Sequence, residues 1–165
     1  HERAQPPRRG TAMTVVVPVS VEQLSGLREA PLAGPVTGFA VTPGLRDTFG
    51  LGDADEEEAD RTALLLAGLS SLISYGKRIA VVIDALAVDD GDPLGEVTLR
   101  GVAWGEVSAI FADSPEAATA VSDAAEAVSG LDLDASWDTD AVRALVAEHD
   151  LLWYGPEEVG ALIDA

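Results

Sequence analysis

The 165-residue chain contains no cysteine. A disulfide framework, thiolate metal sites and cysteine nucleophiles are thereby excluded, and the composition fits a cytoplasmic setting. Histidine is almost as scarce, with His1 and His149 alone. A zinc site needs more nitrogen and sulfur ligands than these. Aromatic residues make up 5%, so the core is expected to be aliphatic. No apolar run approaches the roughly 18–20 residues that span a bilayer. Positive charge is also short: ten lysines and arginines face 29 acids, a net charge of −19, and Lys77 is the sole lysine. Such a surface repels phosphate backbones and anionic lipid, so neither direct nucleic-acid binding nor membrane association is expected.

Several signatures of chemistry are missing too. There is no G-x-x-x-x-G-K-[ST] loop and no G-x-G-x-x-G after the first strand, so no nucleotide cofactor is expected. No G-x-S-x-G elbow accompanies His149, which is read as a helix-end group. The stretch "LDLDASWDTD" imitates a calcium loop, but counted from Asp132 it has Trp137 where the sharp turn needs glycine and Arg143 where the ligand set needs glutamate. It is read as helix caps. "DDGDPLGE", with Asp89, Asp90, Asp92 and Glu96, is read as a polar turn. No cofactor and no metal are predicted.

What is present is an apolar fraction of 47%, enough for a folded core despite the charge. Residues 1–12, "HERAQPPRRGTA", read as a disordered arm or extension, and residues 13–165 as one globular domain. Without the arm, three arginines and Glu2 drop out, leaving seven bases against 28 acids, a net charge of −21.

Periodicity sets out the elements. "TVVVPVSV" is a β-branched first strand, with Pro18 suggesting an edge or a bulge. Val21, Leu24 and Leu27 follow at helical spacing, and "PLAGP" is expected to close that helix. "VTGFAVT" is the second strand. Thr42 then caps a short helix with Pro43 at its first position. A long helix is predicted from about Asp55 to Tyr75, with Leu65, Leu66, Leu69, Leu72 and Ile73 on its buried face. Gly76 stops it, and Lys77 and Arg78 are expected beside its negative end. "RIAVVIDALAV" reads as a central strand. Val97–Ala112 is too long for one flat strand, and Gly101 and Gly105 predict a bend within it. A helix with a small inner face (Ala117, Val121, Ala124, Ala125, Val128) follows, expected to pack on the sheet, with Asp113 or Ser114 as its cap. Another helix covers about Thr139 to Glu148, with Asp138 as cap. "LLWYG" is a short strand and "PEEVGALI" a last helical turn. The fold class expected is α+β: a layered fold with a mixed, mostly antiparallel sheet of about five strands and helices mainly on one face, with a ferredoxin-like variant as one version.

Three segments in this order, "GFAVTPGLRDTFGLGDADEEEAD", "VAWGEVSAIFADSPEA" and "HDLLWYGPEEV", after a V-V-V-P strand, carry a resemblance. The chain resembles a small uncharacterised family of actinobacterial proteins over most of Met13 to Ala165. The resemblance implies a stand-alone bacterial domain and transfers no catalytic residue.

Three positions are candidates for ligand binding: Thr42, Arg46 and Asp84. Thr42 and Arg46 frame a strand-to-helix turn whose free N–H groups could hold an anion. Asp84 interrupts an apolar strand; pairing with Asp113 into a carboxylate dyad is disfavoured because the two strands form a hairpin. "DADEEEAD", Asp53–Asp60, puts six acids in eight positions. Its phase makes it the solvated start of the long helix, with Glu57 one turn from Arg61. The acidic turn and the Thr42–Arg46 turn are expected to share a surface. No catalytic residue is assigned. The leading expectation is an acidic binding or accessory protein without chemistry of its own, its partner a protein or a small anionic ligand. Two alternatives stay open: an enzyme using Arg46 and nearby carboxylates on a small anionic substrate, and a mimic of nucleic acid that occupies a basic protein. Self-association through the Thr14–Val21 strand is a further option.

Overall fold

The fold is taken from a computed structural model that describes residues 11–163. The chain forms β1 (Thr11–Pro18), α1 (Val21–Leu27), β2 (Leu32–Phe39), α2 (Pro43–Phe49), α3 (Glu56–Tyr75), β3 (Ile79–Asp89), β4 (Glu96–Val102), β5 (Val107–Ala112), α4 (Ala118–Ala127), α5 (Leu133–Trp137), α6 (Asp140–Glu148), β6 (Leu152–Tyr154) and α7 (Val159–Ile163). β1 starts at Thr11, inside the segment read as an arm; residues 1–10 lie outside the described residues.

The expected long fourth strand is two strands. The turn Trp104–Glu106 separates β4 from β5, close to the bend that Gly101 and Gly105 predicted. The sheet therefore has six strands in the order β1-β2-β4-β3-β5-β6, and every pairing among the described residues is antiparallel. A mixed sheet was the expectation, and the structure corrects it.

A larger correction is closure. β1 runs along β3 from Thr11↔Ala87 to Pro18↔Ala80 and also meets β2 at Val16↔Phe39. β2 pairs with β4, and β4 with the far end of β3. The four strands β1-β2-β4-β3 thus close into a small barrel, not a flat layer. Closure works because β3 is eleven residues long and shares one edge between two partners: β5 takes Ile79–Ile83 and β4 takes Ala87–Asp89. A break in register between Ala33 and Val36 lets β2 curl, as bulges do. This also explains why "PLAGP" does not close the first helix: Leu32 to Pro35 already belong to β2.

Alternation divides the core. Val15, Val17, Val81, Ile83, Val97 and Leu99 point inward, where α1 and α7 cover them through Leu24, Leu27 and Val159. Val16, Phe39 and Ala80 point outward, against Leu45 of α2 and Ala63, Leu66 and Ala67 of α3. α3 is buried on a second side as well, where Leu69 and Leu72 meet α4 and α6. The small face of α4 packs there, on helices and not on the sheet as expected. Leu65 is only half-buried, while Ala59, Ala67 and Gly68 are buried, because α3 is sandwiched and small residues let both neighbours approach.

Caps follow side-chain chemistry. Ser20 and Gln23 form a reciprocal capping box on α1. Thr42 caps α2 by accepting from Leu45 N–H at 3.1 Å. Thr139, not Asp138, caps α6, and the five-residue α5, capped by Asp132, was not foreseen. Ser71, wholly buried on α3, accepts from Ile79 N–H at 3.2 Å and lies 2.7 Å from the Lys77 carbonyl and 3.2 Å from the Val19 carbonyl. One hydroxyl thereby joins α3 to the ends of β1 and β3.

Gly95 closes the β3–β4 connection at φ +78°, and a Cβ there would stand 2.5 Å from the Ala40 carbonyl oxygen and 2.8 Å from Leu45 Cδ1. Gly95→Ala combines left-handed strain with overpacking and should lower stability by about 2–4 kcal/mol. Chemical denaturation measures this; a loss below about 1 kcal/mol would contradict the tight approach of the turn to α2.

Candidate functional site

The antiparallel register that sets Ile79 against Ala112 brings the preceding and following residues, Arg78 and Asp113, together at one end of the sheet. Arg78 is only 3% exposed and Asp113 10%. Arg78 Nε donates to Asp113 Oδ2 at 2.8 Å, and one terminal nitrogen donates to Oδ1. The same nitrogen donates to the carbonyl of His149 at 2.9 Å, at the C-terminal end of α6. The stem of Arg78 crosses α3 at Gly68, where a Cβ would lie 3.6 Å from Arg78 Cδ and 3.3 Å from Leu151 Cδ1. The pair is bidentate, the geometry in which arginine is strongest. Arg78 was expected beside the negative end of α3; its position opposite Asp113 also removes it from water.

A groove of about 580 Å³ opens over this pair. α4 supplies one wall with Val121 and Ala125; Leu162 of α7 and Tyr154 of β6 supply the other. Lys77 and Ser114 stand at the same end as the ion pair. Two of the domain's seven bases therefore line one groove with a single acid, Asp113, a local reversal of sign in a strongly acidic chain. Sequence reasoning did not find this groove. Its one local signal was the placement of the only lysine beside an arginine, and that signal was absorbed by the nearby helix end.

The three sequence candidates lie elsewhere. Thr42 is buried and spends its hydroxyl on the α2 cap. Arg46 donates to the Gly52 carbonyl at 2.6 Å and braces the connection from α2 to α3. Asp84, exposed on β3, accepts from Thr14 Oγ1 at 2.8 Å across the β1–β3 ladder. None of the three lines the groove. Thr42 caps α2 and Arg46 lies within it, and no hydrogen bond or ion pair joins Asp84 to them among the described residues. Asp84 is also six residues along β3 from the position facing Asp113, roughly 20 Å, so no dyad forms.

The acidic turn is the start of α3, with Glu56, Glu57 and Glu58 in the first turn. Asp55 accepts from Gly52 N–H at 2.8 Å and closes the loop that Arg46 braces. The two turns adjoin at Gly52, whose carbonyl accepts from Arg46 while its N–H donates to Asp55. Arg61 leans toward Asp150, at 4.0 Å, and not toward Glu57. Partial desolvation, then repulsion from Glu56, push the Asp60 carboxyl up, while Arg46 pulls it down. Among the described residues no group of three acidic or imidazole side chains is placed to hold a metal ion.

A family model matches residues 13–163, from within β1 to the end of α7. The chain belongs to a family of unknown function, DUF6912. No curated protein and no solved structure matches it. The family region contains Arg78, Asp113 and every residue of the groove.

Two outcomes test this site. Asp113→Ala leaves a buried guanidinium unpaired and should cost about 3–5 kcal/mol, whereas the double variant Arg78→Met with Asp113→Leu should recover most of that loss. Equal, additive losses in denaturation would show that the pair is not coupled. Asp60→Asn should stabilise the fold slightly at neutral pH. A raised carboxylate takes up protons more readily when folded, so it weakens the fold as pH rises through its folded value. The gain from Asp60→Asn should therefore vanish on acidification below the ordinary carboxylate range; a gain that grew in acid would reverse the sign assigned here.

Proposed function

We propose that the protein is a non-catalytic binding protein whose ligand is a small amphiphilic anion held in the groove between α4, α7 and β6. The observation that carries this reading is the groove itself: apolar walls, with cationic side chains gathered at one end. Asp113 neutralises Arg78 through the bidentate bond, so the ammonium of Lys77 is the charge left for a ligand. An alkyl or ring body would displace water from Val121, Ala125 and Leu162, and a carboxylate or phosphate head would meet Lys77 and Ser114. The volume suits a ligand of metabolite size. The pair beneath the groove keeps the floor rigid, so little ordering is required on binding. The cysteine-free composition fits a cytoplasmic location, and no described helix is long and apolar enough to cross a membrane.

Decanoate is a suitable probe. Titrated into labelled protein, it should shift the amides of Lys77, Ser122, Tyr154 and Leu162 together. Decanol should bind more weakly, and Lys77→Glu should weaken decanoate about tenfold, roughly 1.4 kcal/mol. Ala118→Trp, at an exposed lining position, should block the groove without unfolding the protein. Shifts scattered over the surface, unchanged in Lys77→Glu, would sink the proposal.

A further inference from the structure

Barrel closure leaves the sheet with one terminal strand outside the barrel. β1, β2, β4 and β3 close on one another, and β5 is held between β3 and β6. β6 is that terminal strand. It pairs with β5 through Ile110↔Tyr154, Phe111↔Trp153 and Ala112↔Leu152. On its other side, Leu152–Tyr154 make no backbone hydrogen bond among the described residues.

The edge is apolar. Trp153 is 59% exposed and Leu152 43%, so a three-residue strand holds two of the four large hydrophobic side chains exposed on the described molecule. Its flanks are acidic. Glu148 and Asp150 precede it, Glu157 and Glu158 follow, and no lysine or arginine occurs between Ala144 and Ile163. Two bases come near this flank: Arg78, which reaches the His149 carbonyl but is buried and paired with Asp113, and Arg61, 4.0 Å from Asp150, with both of those side chains largely exposed. An interaction at that distance and exposure is weak and readily exchanged.

We propose that the outer edge of β6 accepts an extended peptide segment as an added strand, apolar in its middle and carrying lysine or arginine at both flanks. The free N–H and C=O groups supply main-chain hydrogen bonds, and alternate side chains reach Trp153 and Leu152. Basic flanks meet Glu148 and Asp150 at one end and Glu157 and Glu158 at the other. A guanidinium or ammonium can also rest on the exposed indole face. A second copy of this chain fits poorly. Two β6 strands paired antiparallel about Trp153 would bring the Asp150 end of each beside the Glu157 end of the other, acid against acid. The shortness of β6 limits the main-chain contribution, so the flanking charges decide which segments bind. This surface is separate from the groove reading and stands without it.

The test uses the chain as it is and a blocked peptide, Arg-Lys-Val-Thr-Val-Thr-Val-Lys-Arg. The peptide should slow hydrogen exchange at Leu152–Tyr154 about tenfold and weaken as salt rises. Replacing its basic residues by glutamate should abolish the effect. So should Asp150→Lys combined with Glu157→Lys, and Trp153→Ser should weaken binding with only a small fall in Tm, because the indole is more than half exposed. Strand addition has a further mark: N-methylating the valines and N-methylating the threonines must act differently, since one set alone points its N–H groups at β6. Equal effects of the two methylated peptides would overturn the proposal. Unchanged exchange at β6, protection at Lys77 and Ser122 in its place, or a β6-paired dimer in sedimentation would overturn it as well.

Discussion

The bidentate bond between Arg78 and Asp113 determines how the helices meet the sheet. Arg78 enters β3 directly from the turn after α3, and Asp113 leaves β5 directly into the turn before α4. Their bond fastens the start of one central strand to the end of its neighbour, and the contact with the His149 carbonyl adds the end of α6. Three chain reversals are thereby pinned at one point. Burying two charges is costly, and three guanidinium N–H groups offset the cost, two donating to the carboxylate and one to the His149 carbonyl. The same pair lines the groove together with residues of α4 and α7.

The barrel follows from strand lengths. β3 is long enough to hold β1 along one edge and two successive partners along the other. The turn Trp104–Glu106 divides a continuous apolar run into two strands that serve different halves of β3. Had Val97–Ala112 continued as one strand, β4 could not have turned to β2, and the sheet would have stayed open. Closure joins β1 to β2 and leaves β6, where the exposed tryptophan stands, as the terminal strand of the described sheet. Local periodicity is blind to this, since a strand that curls and a strand that stays flat alternate alike.

Charge is arranged by the same logic. Asp53–Asp60 lies at the solvated start of α3, where acids suit the helix N-terminus, and Arg46 is spent on the loop beside it. Of the scarce bases, Arg78 is buried and Lys77 stands over the groove. In a chain with so few cations, the positions where they converge carry more information than any cluster of acids.

The amino-acid pattern by itself determined the α+β class, the Thr42–Pro43 start of α2, the extent of α3 to Gly76, the central place of β3 and the bend after β4. Each depends on contacts within a few residues or on a repeat of fixed period, and both are visible along the chain. The tertiary structure alone decided the closure of the barrel, the burial of α3 on two sides, and the meeting of Arg78 with Asp113. These depend on which strands pair and in what register, and a register couples residues 35 apart with no local mark on either. Lys77 and Arg78 read as a helix terminus because that is what adjacent bases after a glycine usually are. Only the partner across the sheet turned one of them into the floor of a groove and left the other at its rim.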